Sequence, residues 1–154
     1  MVHALEEIRR VLVPDGVLLD IRPVADRWPV EVASASAVRE TGRLDDLAEQ
    51  VNADAASNEA MKEVESRGWF RREQAAFFPF FYSWDTPADM EEFIAEDWSD
   101  FIGLGEDARQ ATRSAWAVGE ADSRVRVRVK ILITKWRVTA ADRNSYRRNT
   151  TAPG

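Results

Sequence analysis

Residues 3–23, HALEEIRRVLVPDGVLLDIRP, decide the fold, because they spell a helix, a turn and a buried strand in immediate succession. Ala4, Leu5, Ile8, Val11 and Leu12 recur at helical spacing, whereas Glu6, Glu7, Arg9 and Arg10 fill the opposite side. Pro14-Asp15-Gly16 stops the helix, since proline cannot continue it and Asp-Gly supplies the positive-φ geometry of a tight turn. Val17, Leu18, Leu19 and Ile21 then form an apolar run with Asp20 as its one polar member. That run predicts a strand covered on both faces, and so a parallel or mixed sheet flanked by helices.

The same residues carry a resemblance. A-L-E-E-I-R-R-V-L-V-P-D-G-V-L-L resembles the helix, turn and fifth strand of class I S-adenosylmethionine-dependent methyltransferases, with Leu5, Glu7, Arg10, Val11, Leu12, Pro14 and Gly16 in register and Asp15 in place of a glycine. The resemblance covers these 21 residues; beyond them it is one of element order. It implies an α/β fold: a partial Rossmann-like methyltransferase sheet with strands resembling the fifth, sixth and seventh, mixed parallel/antiparallel, with flanking helices. In that family a glycine-rich loop and an acid after the early strands hold the cofactor, the glycines admitting backbone N–H groups to the ligand and the acid binding ribose hydroxyls. Neither precedes Met1, and the close pair Gly103-Leu104-Gly105 reads as a helix stop. The expectation is therefore a C-terminal half over residues 1–138, from a truncated gene or a misplaced start codon, followed by a disordered tail over 139–154. S-adenosylmethionine is the cofactor of the resembled family, and none is expected to bind this chain alone.

Composition narrows the classes. A chain of 154 residues with 45% hydrophobic content can bury one core. With no cysteine and one histidine, His3, there is no disulfide framework, thiolate site or histidine-rich metal cluster. No apolar run approaches the roughly 20 residues that span a bilayer, and the N-terminus lacks a signal peptide's apolar centre. A soluble cytoplasmic protein is expected. Residues 124–148 hold nine Lys or Arg and one acid, while acids crowd between Asp85 and Asp107. The reading is that these blocks face each other or solubilise their own surfaces; a pI near 4.9 argues against a nucleic-acid binder.

Along the chain, Arg22 to Pro29 is a loop with two prolines, and in open α/β sheets ligands are met beyond the carboxyl ends of strands. Asp20, Arg22 and Arg27 are the candidate substrate-binding residues, two arginines suiting a carboxylate or phosphate; solvated loop charge is the alternative. A short hairpin over residues 30–43 is one reading of that segment. From Leu44 the period is helical through Leu47, Val51 and Ala55, with a second helix starting near Ser57 or Asn58 and running to Gly68. Six aromatics in eight residues, Phe77 to Trp84, predict a strand whose rings enter the core, placed at a sheet edge by Pro79. Thr86-Pro87-Ala88-Asp89 opens a capped helix with Met90, Phe93, Ile94, Trp98, Phe101 and Ile102 inside and a solvated acidic outer face. A further helix spans residues 106–118. Over 124–138 apolar residues alternate, and the apolar parity changes hands near Ile133, so one long strand bends or bulges there. The resemblance makes it the seventh strand, antiparallel, between the fifth and sixth.

Three functions compete. The resemblance implies part of a methyltransferase acting on a small molecule, inactive alone, with no catalytic residue assignable. A non-catalytic half-domain would pair with a partner chain, a missing N-terminal half or a second copy through an exposed sheet edge. A small ligand-binding α+β domain, using the aromatic strand and the two arginines, is the third.

Overall fold

The computed structural model describes residues 1–139. The element order is α1 (Val2–Val11), β1 (Val17–Pro23), β2 (Pro29–Ala33), β3 (Val38–Arg43), β4 (Asp45–Asp46), α2 (Ala48–Ser66), β5 (Phe70–Trp84), α3 (Pro87–Phe93), a π-helical turn (Ile94–Trp98), β6 (Ile102–Gly103), α4 (Glu106–Ala117) and β7 (Arg124–Val138). Five strands form one all-antiparallel sheet in the order β1-β7-β2-β3, with β5 also pairing β7, and β4 pairs β6. This corrects the expected partial Rossmann-like sheet of mixed direction. A run such as VLLDI is compatible with either strand direction, and here every pairing is antiparallel. The tail expected from 139 onward lies outside the described residues except for Thr139, whose N–H donates to the Trp69 carbonyl at 3.1 Å.

The chain divides into two compact units, one of Met1–Asp20, Ala56–Ala76 and the chain from Ile133, the other of Ile21–Ala55 and Phe77–Leu132. In the first, α1 offers Leu5 to a cluster with Met61, Val64, Phe70, Trp136 and Val138. The turn is as the sequence implies: Asp15 adopts φ 60°, and the Gly16 carbonyl accepts from the Val138 N–H at 2.9 Å. Trp69 lies between the Arg9 and Arg67 guanidinium groups, 5.5 and 4.9 Å from its ring centroid.

In the second unit β2 lies between β7 and β3, with Val30 opposite Val127 and Val32 opposite Val125. Two neighbouring strands leave Pro29 to Val32 buried throughout, and these valines join Trp28, Leu44, Met90, Ile94 and Ile102 in the larger core. Each such side chain contributes about 1.5–3 kcal/mol by leaving water. Helix α4 packs on β3 where Gly42 gives it room: a Cβ there would sit 2.6 Å from that of Ala108. Thr41 and Thr112 share a hydroxyl hydrogen bond of 2.7 Å beside that contact. The hairpin read over residues 30–43 is present as β2 and β3.

Three further expectations are corrected. Strand β1 is not covered on both faces: Val17, Leu19 and Ile21 are 40, 53 and 56% exposed, while Leu18, Asp20 and Arg22 on the other face are half-buried. The two helices expected from Leu44 to Gly68 are one, α2, because Ser57 and Asn58 sit in its middle and Leu44 goes into the core ahead of it. Of the pair Gly103 and Gly105, the first belongs to strand β6 and the second stands at the start of α4.

Candidate functional site

Strand β5 positions the most unusual surface. Of its 15 residues only Phe70 is buried, and Trp84 is intermediate. Phe77 and Phe80 are 59 and 48% exposed, and Phe78, Phe81 and Tyr82 are also open. Neighbours in a strand point to opposite sides, so exposed pairs such as Phe77-Phe78 and Phe80-Phe81 leave both faces uncovered. The expectation that these rings enter the core is corrected. Aromatic content predicts a strand, but it does not say what lies over it.

Against this strand runs β7, whose Arg126, Arg128 and Lys130 share one parity and alternate with the buried Val125, Val127 and Val129. The Arg126 guanidinium lies 4.5 Å from the Phe81 ring centroid, and the Lys130 ammonium lies 4.8 Å from that of Phe77. Glu31 of β2, itself buried, accepts from Arg126 at 2.7 Å and from Arg128 at 2.9 Å. Lys130 pairs with Asp26 at 3.3 Å and Arg43 with Glu40 at 2.9 Å. A cavity of about 290 Å³ opens here between Phe77, Phe78, Pro79, Arg43, Arg128 and Lys130. Each of its cations already faces a carboxylate, so the site can hold a flat, weakly polar group against rings and alkyl stems. It lacks the surplus positive charge that would track a phosphate backbone. The signal that could have found it is the R-V-R-V-R-V-K alternation read together with FFPFFY.

The basic block resolves differently from the expectation. Arg124 pairs with Asp85 of the acidic block. The other five basic residues of β7 pair with Glu31, Glu40, Asp26 and Glu73 instead. Glu73 accepts from Arg137 and lies 3.0 Å from Lys135, and these two cations, Arg137 first, hold its carboxyl down to about 2. On the acidic helix face, Glu91 is held by Arg113 at 2.8 and 2.5 Å, which raises the Arg113 pKa above its ordinary value.

Of the residues singled out for substrate, Asp20 and Arg22 stand on the half-buried face of β1, and each has an interaction of its own. Arg27 lies elsewhere. At φ 45°, its N–H donates to Asp46 at 2.9 Å and its guanidinium to Asp45 at 3.1 Å, beside a groove of about 540 Å³ that Thr41, Gly42 and Gly105 also line. The structure does not gather the three into one described cavity.

Between β6 and α4, Gly103 lies against Leu47 and Asp45 and Gly105 near Asp45, α4 carries Glu106 and Asp107 in its first turn, and Gly42 is filled against Ala108. Among those residues no group of three or more His, Cys, Asp or Glu could hold a metal ion, and no helix is long and apolar enough to cross a membrane. Comparison with protein-family models, curated proteins and solved structures finds no match for this chain.

Proposed function

We propose that this chain is the C-terminal part of an S-adenosylmethionine-dependent methyltransferase of small molecules and transfers no methyl group by itself. The observation that carries the reading is the segment α1, turn and β1, whose sequence resembles that family and which forms a helix to Val11 and a strand from Val17. One fact supports it: β1 presents Val17, Leu19 and Ile21 to solvent on a face that further chain could cover. The sulfonium of the donor is already activated, so such an enzyme mainly aligns donor and acceptor, and a C-terminal part need carry no acid–base machinery.

Calorimetry with S-adenosylmethionine tests the claim that the chain is not active alone: no saturable heat is expected, and micromolar binding would overturn it. Reading the genomic DNA upstream of the Met1 codon tests the parentage. An open frame encoding a strand and a glycine-rich loop supports it; an open frame encoding neither counts against it.

A second reading is favoured by β5, whose two open faces exceed what a lone domain usually exposes. In it the chain is a non-catalytic module that pairs with another polypeptide. Light scattering after size exclusion separates the cases: a mass rising with concentration supports pairing with itself, and a concentration-independent monomer opposes it.

A further inference from the structure

A second cavity in the unit of Ile21–Ala55 and Phe77–Leu132 is built with unusual care. The pairing of Asp46 with Ile102, and an N–H of Leu47 donating to the Phe101 carbonyl at 2.9 Å, fix the start of α2 beside Phe101. Gln50, in the first turn of that helix, is 8% exposed, lines a cavity of about 310 Å³, and has no side-chain hydrogen-bond partner among the described residues. Its carboxamide still reaches water, and a guest that displaces that water must supply hydrogen bonds in its place.

The facing wall comes from the π-helical turn Ile94–Trp98. Such turns are rare and recur at functional sites, since the extra residue redirects the side chains that follow. Here the turn carries Asp97 and Trp98 to the cavity. The Trp98 ring is fixed by edge contacts with Trp28 at 5.6 Å, Tyr82 at 4.9 Å and Phe93 at 5.2 Å. The indole N–H of Trp28 is already satisfied by the Val24 carbonyl at 2.9 Å, which leaves that ring as apolar wall. Asp97 is exposed beside Trp98 and has no ion pair among the described residues, and the sequence from Asp85 to Asp107 contains no Lys or Arg to neutralise it.

We propose that this cavity binds a small planar organic cation, with its ring on Trp98 and Phe101, its charged end toward Asp97 and a polar substituent on Gln50. Aromatic faces attract cations, and the adjacent carboxylate adds to that attraction. An anion would meet Asp97 with Glu96 and Asp100 close by in sequence, and a purely apolar guest would leave Gln50 unpaired. The inference stands apart from methyl transfer, since it rests on none of the residues that carry that reading.

The test is titration calorimetry of the full chain at neutral pH with three probes that share one ring: tyramine as cation, 4-ethylphenol as neutral analogue and 3-(4-hydroxyphenyl)propionate as anion. Tyramine should bind most tightly and the propionate least. Asp97→Asn should reduce tyramine affinity about two- to fivefold and erase the preference over 4-ethylphenol. Gln50→Leu, close in volume, should weaken both phenols about five- to tenfold. Circular dichroism checks that each variant is folded, and Asp97, being exposed, can be changed without disturbing the core. Three probes binding alike, no saturable heat up to the solubility limit, or a variant binding as the parent does would overturn the proposal.

Discussion

Glu73 sits where three charged side chains of one unit meet, and its chemistry follows from that placement. Arg137 and Lys135 lower its carboxyl from 4.5 to about 2, so the folded state binds its proton less readily than the unfolded chain does. The linkage then has one sign: this carboxylate's contribution to stability is present above pH 4.5 and is lost as pH falls from there through about 2. Following the Glu73 side-chain carbonyl by carbon NMR should give a midpoint near 2, and Glu73→Gln should remove that part of the acid limb of the unfolding profile. Glu31 is the buried counterpart. Its two arginines, Arg126 and Arg128, are only partly covered, so losing the charge should cost less than breaking a fully buried pair. Glu31→Gln keeps the shape and should destabilise by about 1–3 kcal/mol in urea unfolding.

At the scale of elements, α3 is the most completely specified. The Thr86 hydroxyl accepts from the Asp89 N–H at 3.2 Å while Asp89 accepts from the Thr86 N–H at 3.1 Å, and Pro87 takes the first helical position. Thr86→Ala should cost about 1 kcal/mol, read from the urea midpoint at unchanged slope. That cap was legible because capping depends on residue types at fixed offsets. The parity change along β7 was legible for a similar reason: buried positions pass from Val125, Val127 and Val129 to Thr134, Trp136 and Val138, as the alternation of residue types implies. Strand direction was not legible, because no residue in VLLDI encodes whether its neighbour runs parallel. The continuity of α2 was missed because Ser57 and Asn58 cap helices well but also tolerate a helix interior. Gln50 was missed since a glutamine in a first helical turn ordinarily faces water. The one outward sign of its site was Trp98 set within an acidic stretch.

Taken whole, the chain buries two apolar clusters and yet leaves a long aromatic strand and the outer face of β1 in water. Sequence gave the composition of those strands and not their coverage, since what covers a strand is decided by distant segments or by another chain. The resemblance of residues 3–23 was likewise a local property, and it could not fix the direction of the sheet around it.

Within that exposed strand, Pro79 interrupts the hexapeptide Phe77-Phe78-Pro79-Phe80-Phe81-Tyr82. Five aromatic residues in a six-residue window, uncharged and open on both sides, would without the proline be a template for stacked cross-β assembly, because like segments can add above and below with dry interfaces between them. A prolyl nitrogen carries no proton and cannot extend such a ladder, so this residue acts as a gatekeeper against fibrils. Pro79→Val should convert the strand into a nucleus: thioflavin fluorescence should rise with a lag phase under agitation, while the parent chain stays dark at equal concentration.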